Sequence, residues 1–451
     1  MADAQTLPRI DPPAVPLGRL AFLARFVRNP LLVVPQAAFD EDFVAAEGDG
    51  PRFAWVTAPH LIKAVLLDER EKFHKLAQIR LLGPLLGKGI LTSEGADWKW
   101  QRQAAAPMFR PPELQSFVPT FVRAAQALVA QWRAAPQGAV HDIEREMTRL
   151  TFDVIAATLL PSQDPRLAPA VEESVATFQK AGAWGQLYAM INVPQWLPRP
   201  GLVSGALAIR KLRTTVRRLL NEDKTRKEDS LMQRLVRARD PESGQSMNEA
   251  QLVDNLLTFY LAGHETTAKA LTWTLYLVAR SPAWRAALEA EIEAVTGGGE
   301  IAGEHIERLV LTQQVLKEAM RLYPPIPMMS RQAVADVRLD GHLIRAGTSV
   351  VLPIYAIHRH RKRWRDPDAF DPERFAPARE TDMARYQYLP FGAGPRICIG
   401  LGFAMLEATA LLAALLRRAR FAPLEGHVPG LLARVTLRPR GGMPLRVTMR
   451  N

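Results

Sequence analysis

One cysteine occurs among 451 residues, and its neighbours decide what it can do. Cys398 stands in Phe391-Gly-Ala-Gly394-Pro-Arg396-Ile-Cys398-Ile-Gly400, just before an apolar helical stretch, Leu401–Arg417. A single cysteine excludes an intrachain disulfide and any multi-cysteine zinc or iron–sulfur site. It reads either as a small buried hydrophobe or as a reactive thiolate or metal ligand. Its place at a helix start favours the second reading, because backbone N–H groups and the helix dipole stabilise a thiolate. Gly394 and Gly400 let a flat object lie against the backbone. Arg396 adds a cation two residues from the sulfur.

Two further constellations carry chemistry. In Ala262-Gly263-His264-Glu265-Thr266-Thr267, glycine costs a helix about 1 kcal/mol relative to alanine. Thr266 can bond back to the Ala262 carbonyl and bend the helix. Together they could open a groove with an acid and a hydroxyl beside it, the parts needed to hand a proton to a bound molecule. Glu318 and Arg321 stand three residues apart. On a surface such a pair contributes a few tenths of a kcal/mol. Buried, it needs every hydrogen bond met.

The elements that must position these groups are mostly helical, with apolar residues recurring every three or four positions. Helices are expected over Gln36–Ala46, Pro59–Leu67, Glu94–Met108, Glu113–Arg133, Ile143–Leu160, Leu167–Lys180 and Leu202–Asp223. The longest runs from about Met247 to Arg280, with Ser246 and Glu249 as its capping box and Ser281-Pro282 as its stop. Asp254, His264, Glu265 and Lys269 interrupt it, so it cannot span a membrane. Another helix fits Leu309–Tyr323. Strands are fewer: Arg52–Thr57, a hairpin around Asp340-Gly341 within Arg338–Pro353, and a second over Arg434–Met449 turning at Gly441-Gly442. The expected class is mainly α with small β-sheets. Residues 1–30 read as an N-terminal arm and 31–451 as a single domain, since no Gly/Ser-rich linker divides the chain.

The cysteine segment, FxxGxRxCxG, resembles the haem-binding loop of the cytochrome P-450 family. That resemblance implies the family fold, with the long central helix over a buried haem b. It makes Cys398 the iron ligand, Phe391 its neighbour and Arg396 a partner of a haem propionate, with Gly394 and Gly400 in the cofactor-binding loop. The long-helix motif is similar to the family's [AG]Gx[DE]T, with Ala262 beside the haem, Glu265 as the acid and Thr266 as the alcohol next to the oxygen. Glu318 and Arg321 match the ExxR signature. Asp371-Pro372-Glu373-Arg374-Phe375 resembles the loop that gives the pair its third member, Arg374, in a structural role. Trp98 and Arg102 resemble the WxxxR of the family's third helix, and Arg331 the arginine just past the ExxR helix. With Arg396 these make four donor groups for two propionates. Thr258, Leu261, Ala262 and Met328 are candidate substrate contacts.

The implied reaction is insertion of one oxygen atom of O2 into an apolar substrate. HETT and ExxRLYPP look more like the branch with bacterial fatty-acid hydroxylases than the camphor-hydroxylase type. The loops Gln78–Ser93 and Ala183–Pro200 are apolar (Leu81, Leu82, Leu85, Leu86, Trp184, Leu187, Tyr188, Met190, Trp196). GxGxxG is absent and Gly297-Gly-Gly299 reads as a helix-connecting loop. Electrons are therefore expected from NAD(P)H only indirectly, through an acidic ferredoxin or flavodoxin and its reductase. Lys99, Arg110, Arg361, Lys362, Arg363, Arg417 and Arg418 are the candidate docking cations. Two rival activities share the fold: a peroxide-driven peroxygenase or electron-independent isomerase or dehydratase, and a non-catalytic haem sensor or carrier. An intact Glu265-Thr266 pair argues against both.

Charge and segment composition bound the rest. The net charge is +12, from 58 Lys+Arg against 46 Asp+Glu. The basic residues are scattered and form no nucleic-acid motif. Leu20–Pro35 carries Arg25 and Arg28 and is too short to cross a bilayer, though compatible with surface contact. The expectation is a cytoplasmic monomer without a transmembrane anchor.

Overall fold

The long helix dictates the architecture, because it must be covered on several sides at once. The computed structural model describes residues 7–45, 53–159, 185, 188, 202–223 and 230–450. The helices that frame the site are α1 (Arg19–Arg28), α2 (Leu76–Leu86), α3 (Gly95–Ala105), α4 (Val118–Ala134), α5 (Ile143–Leu159), α6 (Leu202–Asp223), α7 (Leu231–Arg237), α8 (Glu249–Ala279), α9 (Pro282–Thr296), α10 (Val310–Leu322) and α11 (Leu401–Arg418). Helix α8 has 31 residues, a rod of roughly 46 Å. It packs against α5, α6, α10 and α11. Its buried threonines Thr258, Thr272 and Thr274 return their hydroxyls to the carbonyls four residues back, so these polar side chains enter the core already satisfied.

The cap of α8 differs from expectation. Asn248, not Ser246, accepts from the N–H of Gln251, and the Gln251 side chain returns to the Asn248 N–H. Ser246 instead bridges to Arg239 in a short β-contact. Two more expectations shift. Gln36–Ala46 is a single 3-10 turn, Gln36–Phe39, followed by a strand; Pro35 and three successive acidic residues do not sustain an α-helix there. Glu113–Arg133 breaks at Ser116-Phe117 into Pro111–Gln115 and α4. The Leu167–Lys180 helix lies outside the described residues. Helices α1, α7 and α9 and strand Met329–Ala333 went unpredicted, and α2 occupies much of the expected loop Gln78–Ser93.

The strands are β1 (Phe43–Ala45), β2 (Phe53–Val56), β3 (Phe73–His74), β4 (Val140–Asp142), β5 (Met329–Ala333), β6 (Val337–Leu339), β7 (His342–Ile344), β8 (Ser349–Leu352), β9 (Ala419–Pro423), β10 (Gly430–Ala433), β11 (Leu437–Arg440) and β12 (Pro444–Met449). The largest sheet runs β1-β2-β8-β5-β3, with β2 and β8 parallel. The β6–β7 hairpin turns at Asp340-Gly341 as expected. The expected C-terminal hairpin does not form. Strand β11 pairs with β10, while β12 pairs with β9 and β4. Gly441 and Gly442, both at φ +87°, let the chain cross from one sheet to the other. A Cβ on Gly442 would sit 2.7 Å from the Asp142 carboxylate, so this crossing has no room for a side chain.

The N-terminal arm joins the fold. Ile10 is buried, the Pro8 carbonyl accepts from Tyr323 Oη at 3.1 Å, and Pro13 accepts from Gln36. Among the described residues no helix is long and apolar enough to cross a membrane.

Candidate active site

Cys398 is held at the foot of α11 by its own loop. Its N–H donates to the Phe391 carbonyl at 2.9 Å, and Ile397 N–H closes on Gly394 at 3.1 Å. Gly394 adopts φ +70°, and a Cβ there would lie 2.6 Å from the Leu66 carbonyl, so only glycine fits. Cys398 is exposed on one side, yet protein encloses it on the others. That burial pushes its thiol above the usual range, while the Gly400 N–H and the Arg102 guanidinium pull it down. The expected net thiolate stabilisation is therefore overturned for the thiol standing alone: desolvation outweighs the helix start.

The loop rests on a polar lattice centred on a buried ion pair. The Glu318 and Arg321 side chains are 0% exposed and meet through two contacts, Arg321 Nε to Oε2 at 2.7 Å and Nη2 to Oε1 at 2.8 Å. Arg321 also donates to the carbonyls of His358, Pro367 and Ala369, which uses all five of its N–H groups. Glu318 Oε1 accepts from the Asp371 N–H and lies 3.5 Å from Arg374 Nε. Arg374 is thus the third member, joined by charge more than by a formed hydrogen bond. His358 extends the lattice to the cysteine segment by accepting the Leu389 N–H at 2.7 Å. Burial, then Arg321 and Arg359, lower the His358 pKa to about 3, so the ring stays neutral.

A different cluster stands beside the thiol. Arg396 stacks over Trp98 at 4.0 Å and donates to the Ser93 carbonyl. Burial lowers its pKa to about 10; Glu94 raises it, and Arg331 and Arg102 lower it further. Arg331, on β5, is likewise lowered to about 10 by burial, against the pull of Glu94. Lys75 was not foreseen. It lies buried with its Nζ on the Leu91 carbonyl, and burial, then Arg331 and Arg396, hold it well below the ordinary lysine range. Arg102 is lowered by burial and raised by Cys398. Three cations, Lys75, Arg331 and Arg396, therefore share one nearby carboxylate, Glu94, which also binds the Lys75 N–H and His74, while Arg102 faces Cys398. Ser93 Oγ is buried without a partner. So concentrated an excess of buried cations fits an anionic group bearing carboxylates, and the glycine-lined loop fits a flat one.

The burial of helix α8 breaks midway along its length. It is buried on nearly every side, except at Leu261, Ala262, Gly263, Glu265 and Thr266. Thr266 Oγ1 donates to the Ala262 carbonyl at 2.6 Å. Gly263 serves packing, since a Cβ there would meet Ile155 of α5 at 2.8 Å. Thr151 of α5 donates to the His264 carbonyl, and His264 is a core residue bonded to the Tyr260 carbonyl. Glu265 accepts from Thr436 Oγ1, in the β10–β11 turn, at 2.7 Å.

Of the substrate candidates, Leu261, Ala262 and Met328 keep exposed surface. Thr258 does not: it is buried, bonded to the Asp254 carbonyl and pressed against Gly89. Leu82, Leu85 and Leu86 are core residues, and Trp184, Leu187, Met190 and Trp196 lie outside the described residues. Glu407 of α11 was missed. It is fully buried near Thr267, neither of its oxygens has a well-formed hydrogen bond, and burial raises its pKa to about 8.

Most candidate docking cations are already paired. Lys99 binds Glu242, and Arg417 and Arg418 bind Glu300. Arg361, Lys362 and Arg363 face Asp40, Glu41 and Asp42 in a three-rung ladder. Only Arg110 of the seven has no carboxylate partner among the described residues.

Comparison with known proteins places this geometry. The family model described as Cytochrome P450 matches residues 43–443. Cyclooctatin synthase of Streptomyces melanosporofaciens is 31% identical over 440 residues, covering 97% of this chain and 93% of that protein. Cytokinin hydroxylase of Arabidopsis thaliana is 30% identical, covering 90% of this chain and 80% of that protein. The crystal structure of the cytochrome P450DA haem domain matches with a TM-score of 0.84 at 25% identity, covering 99% of each chain.

Proposed function

The chain belongs to the cytochrome P450 family and is an oxidoreductase of the monooxygenase type; from that premise we propose that it is a haem-thiolate monooxygenase acting on an apolar small molecule with electrons from a separate protein. The observation that carries this reading is the juxtaposition at Cys398. The sole thiol stands on a hydrogen-bonded loop beside Arg102 and three further cations that share one carboxylate.

Cys398 would ligate the iron, and Lys75, Arg102, Arg331 and Arg396 would hold the propionates, with Trp98 fixing the plane of Arg396. When bound, haem supplies oxygen activation, which a thiolate ligand biases toward O–O cleavage. The chain's own residues do the rest. The Glu318–Arg321–Arg374 lattice fixes the height of the cysteine loop. Thr266 offers a hydroxyl at the open stretch of α8, and Glu265, oriented by Thr436, can pass it a proton. Leu261, Ala262 and Met328 present apolar surface that excludes water and orients a hydrocarbon. The named relatives have different substrates, so apolarity is as far as the substrate class goes.

The test is the Cys398→Ser variant. The reduced carbon monoxide complex of the wild type is expected to show the red-shifted Soret band of thiolate ligation, and the variant to lose it. A variant that kept the band would make Cys398 the wrong ligand.

A further inference from the structure

Helices α6 and α8 are joined by two ion pairs of unequal depth. Arg217 Nε lies 3.1 Å from Glu249 Oε1, with both side chains about half exposed. Arg213 Nη2 donates to Asp254 Oδ1 at 2.5 Å, with the side chains 25% and 8% exposed. Arg213 alone of the two reaches a third element: its Nη1 donates to the Leu85 carbonyl, near the end of α2, at 3.3 Å.

The stretch after α2 is pinned to α8. Lys88 N–H donates to Asp254 Oδ2 at 2.7 Å, and Ile90 N–H to Asn255 Oδ1 at 2.8 Å. Asn255 in turn donates to Gln101, which donates to the Lys88 carbonyl. A Cβ on Gly87, at φ +57°, would lie 2.3 Å from the Asp254 carboxylate, and one on Gly89 would lie 2.6 Å from Thr258 Oγ1. The stretch therefore lies as close to α8 as a backbone can. Its far end reaches the cation cluster, where Leu91 and Ser93 carbonyls accept from Lys75 and Arg396. Residues 87–93 thus form a wall between α6 and the candidate haem seat, while α8 runs on roughly 10 Å from Asp254 to its open stretch at Leu261.

Asp254 serves both sides of the joint at once, one oxygen to Arg213 and the other to the Lys88 N–H. The two sides of the joint therefore depend on one carboxylate. If Arg213 leaves, Asp254 keeps a backbone donor, and the quarter-exposed guanidinium goes to water. Opening leaves the buried Asp254 carboxylate on that one donor, so release costs free energy and the closed joint is the favoured state. The planar fork of arginine is what reaches a carboxylate and a carbonyl together; lysine would hold only one.

We propose that Arg213 is an access latch: it fastens α6 to the 85–93 wall through Asp254, and its release admits apolar ligands to the open stretch of α8. The access role rests on the reading of that stretch as the substrate site; the fastening does not. The test compares Arg213→Met, Arg213→Lys and Arg217→Met holoproteins by amide hydrogen exchange over residues 83–93 and 202–216, and by the association rate of imidazole at the haem. Arg213→Met is expected to exchange about tenfold faster in both segments and to bind imidazole several-fold faster. Arg213→Lys should fall between it and wild type, and Arg217→Met should stay within about twofold of wild type. Arg213→Met exchanging no faster than Arg217→Met overturns the latch. Faster exchange with an unchanged imidazole rate overturns the access role. A Soret band that ignores imidazole in every variant overturns the haem reading instead, and the exchange data alone then decide the latch.

Discussion

Two buried arginine clusters lie in this molecule, and they differ in one respect. Around Arg321 every guanidinium N–H has an acceptor and the buried acid has its donors. Around Arg396, three cations converge on a single carboxylate with Arg102 beside them, and a buried hydroxyl stands unpartnered. The first cluster is satisfied at its Glu318–Arg321 centre, which holds things in place, although Arg374 Nε and His358 Nδ1 at its margin are buried without partners. The second is incomplete, and desolvation already presses its cations toward losing their protons, so an anion is what completes it. Counting satisfied bonds separates scaffold from site where counting arginines would not.

The comparison breaks or sharpens with three substitutions. Arg321→Met should have the largest effect, because it leaves Glu318 as a buried charge against a far weaker partner set. The expected loss is about 3–5 kcal/mol, read by denaturant unfolding, with little haem-loaded protein recovered. Glu407→Gln probes a third way of handling a buried polar group, which is to neutralise it. Its folded pKa of about 8 lies above the ordinary carboxyl value, so the native state binds more protons than the unfolded chain between roughly pH 4.5 and pH 8. Wild-type stability should therefore fall across that window relative to Glu407→Gln. Parallel pH–stability curves would show that the acid is not neutral. Arg396→Met should have the smallest effect on folding, within about 1 kcal/mol, since it relieves repulsion from Arg331 and Arg102. It should nevertheless weaken haem retention by roughly tenfold, the scale of one charge-assisted hydrogen bond. Should Arg396→Met unfold as readily as Arg321→Met, the distinction between the clusters would fail.

The first cluster was legible in the sequence because its members sit in contiguous motifs with fixed spacing, Glu318-x-x-Arg321 and the loop bearing Arg374. The cysteine loop and the Ala262–Thr267 motif were legible for the same reason. Lys75 and Glu94 were not, because only folding brings β3, α3 and β5 to one place. Glu407 gave no signal: in α11 it reads as an ordinary helix-surface acid, and only the packing of α8 over it reveals otherwise. Thr258 misled because helical spacing puts it near Leu261, while the close approach of Gly89 hides it. The C-terminal hairpin failed because Gly441-Gly442 looks like a turn when both flanking strands are read as partners; the partners come from elsewhere in the chain. The pairing of the docking cations was hidden too, since Asp40–Asp42 and Arg361–Arg363 lie 321 residues apart.

That ladder has an odd property. A run of like charges facing a run of opposite charges supplies attraction but no address. Slide one run past the other by a residue and acid still meets base. The alignment must be written in something that cannot be satisfied twice, and here it is the Arg361 N–H on the Phe39 carbonyl, at 2.8 Å, beside the buried Phe39 ring against Tyr355. Side chains in the ladder can be permuted among themselves with little consequence, whereas the message that tells the two segments where to stop is carried by one backbone bond and one aromatic edge.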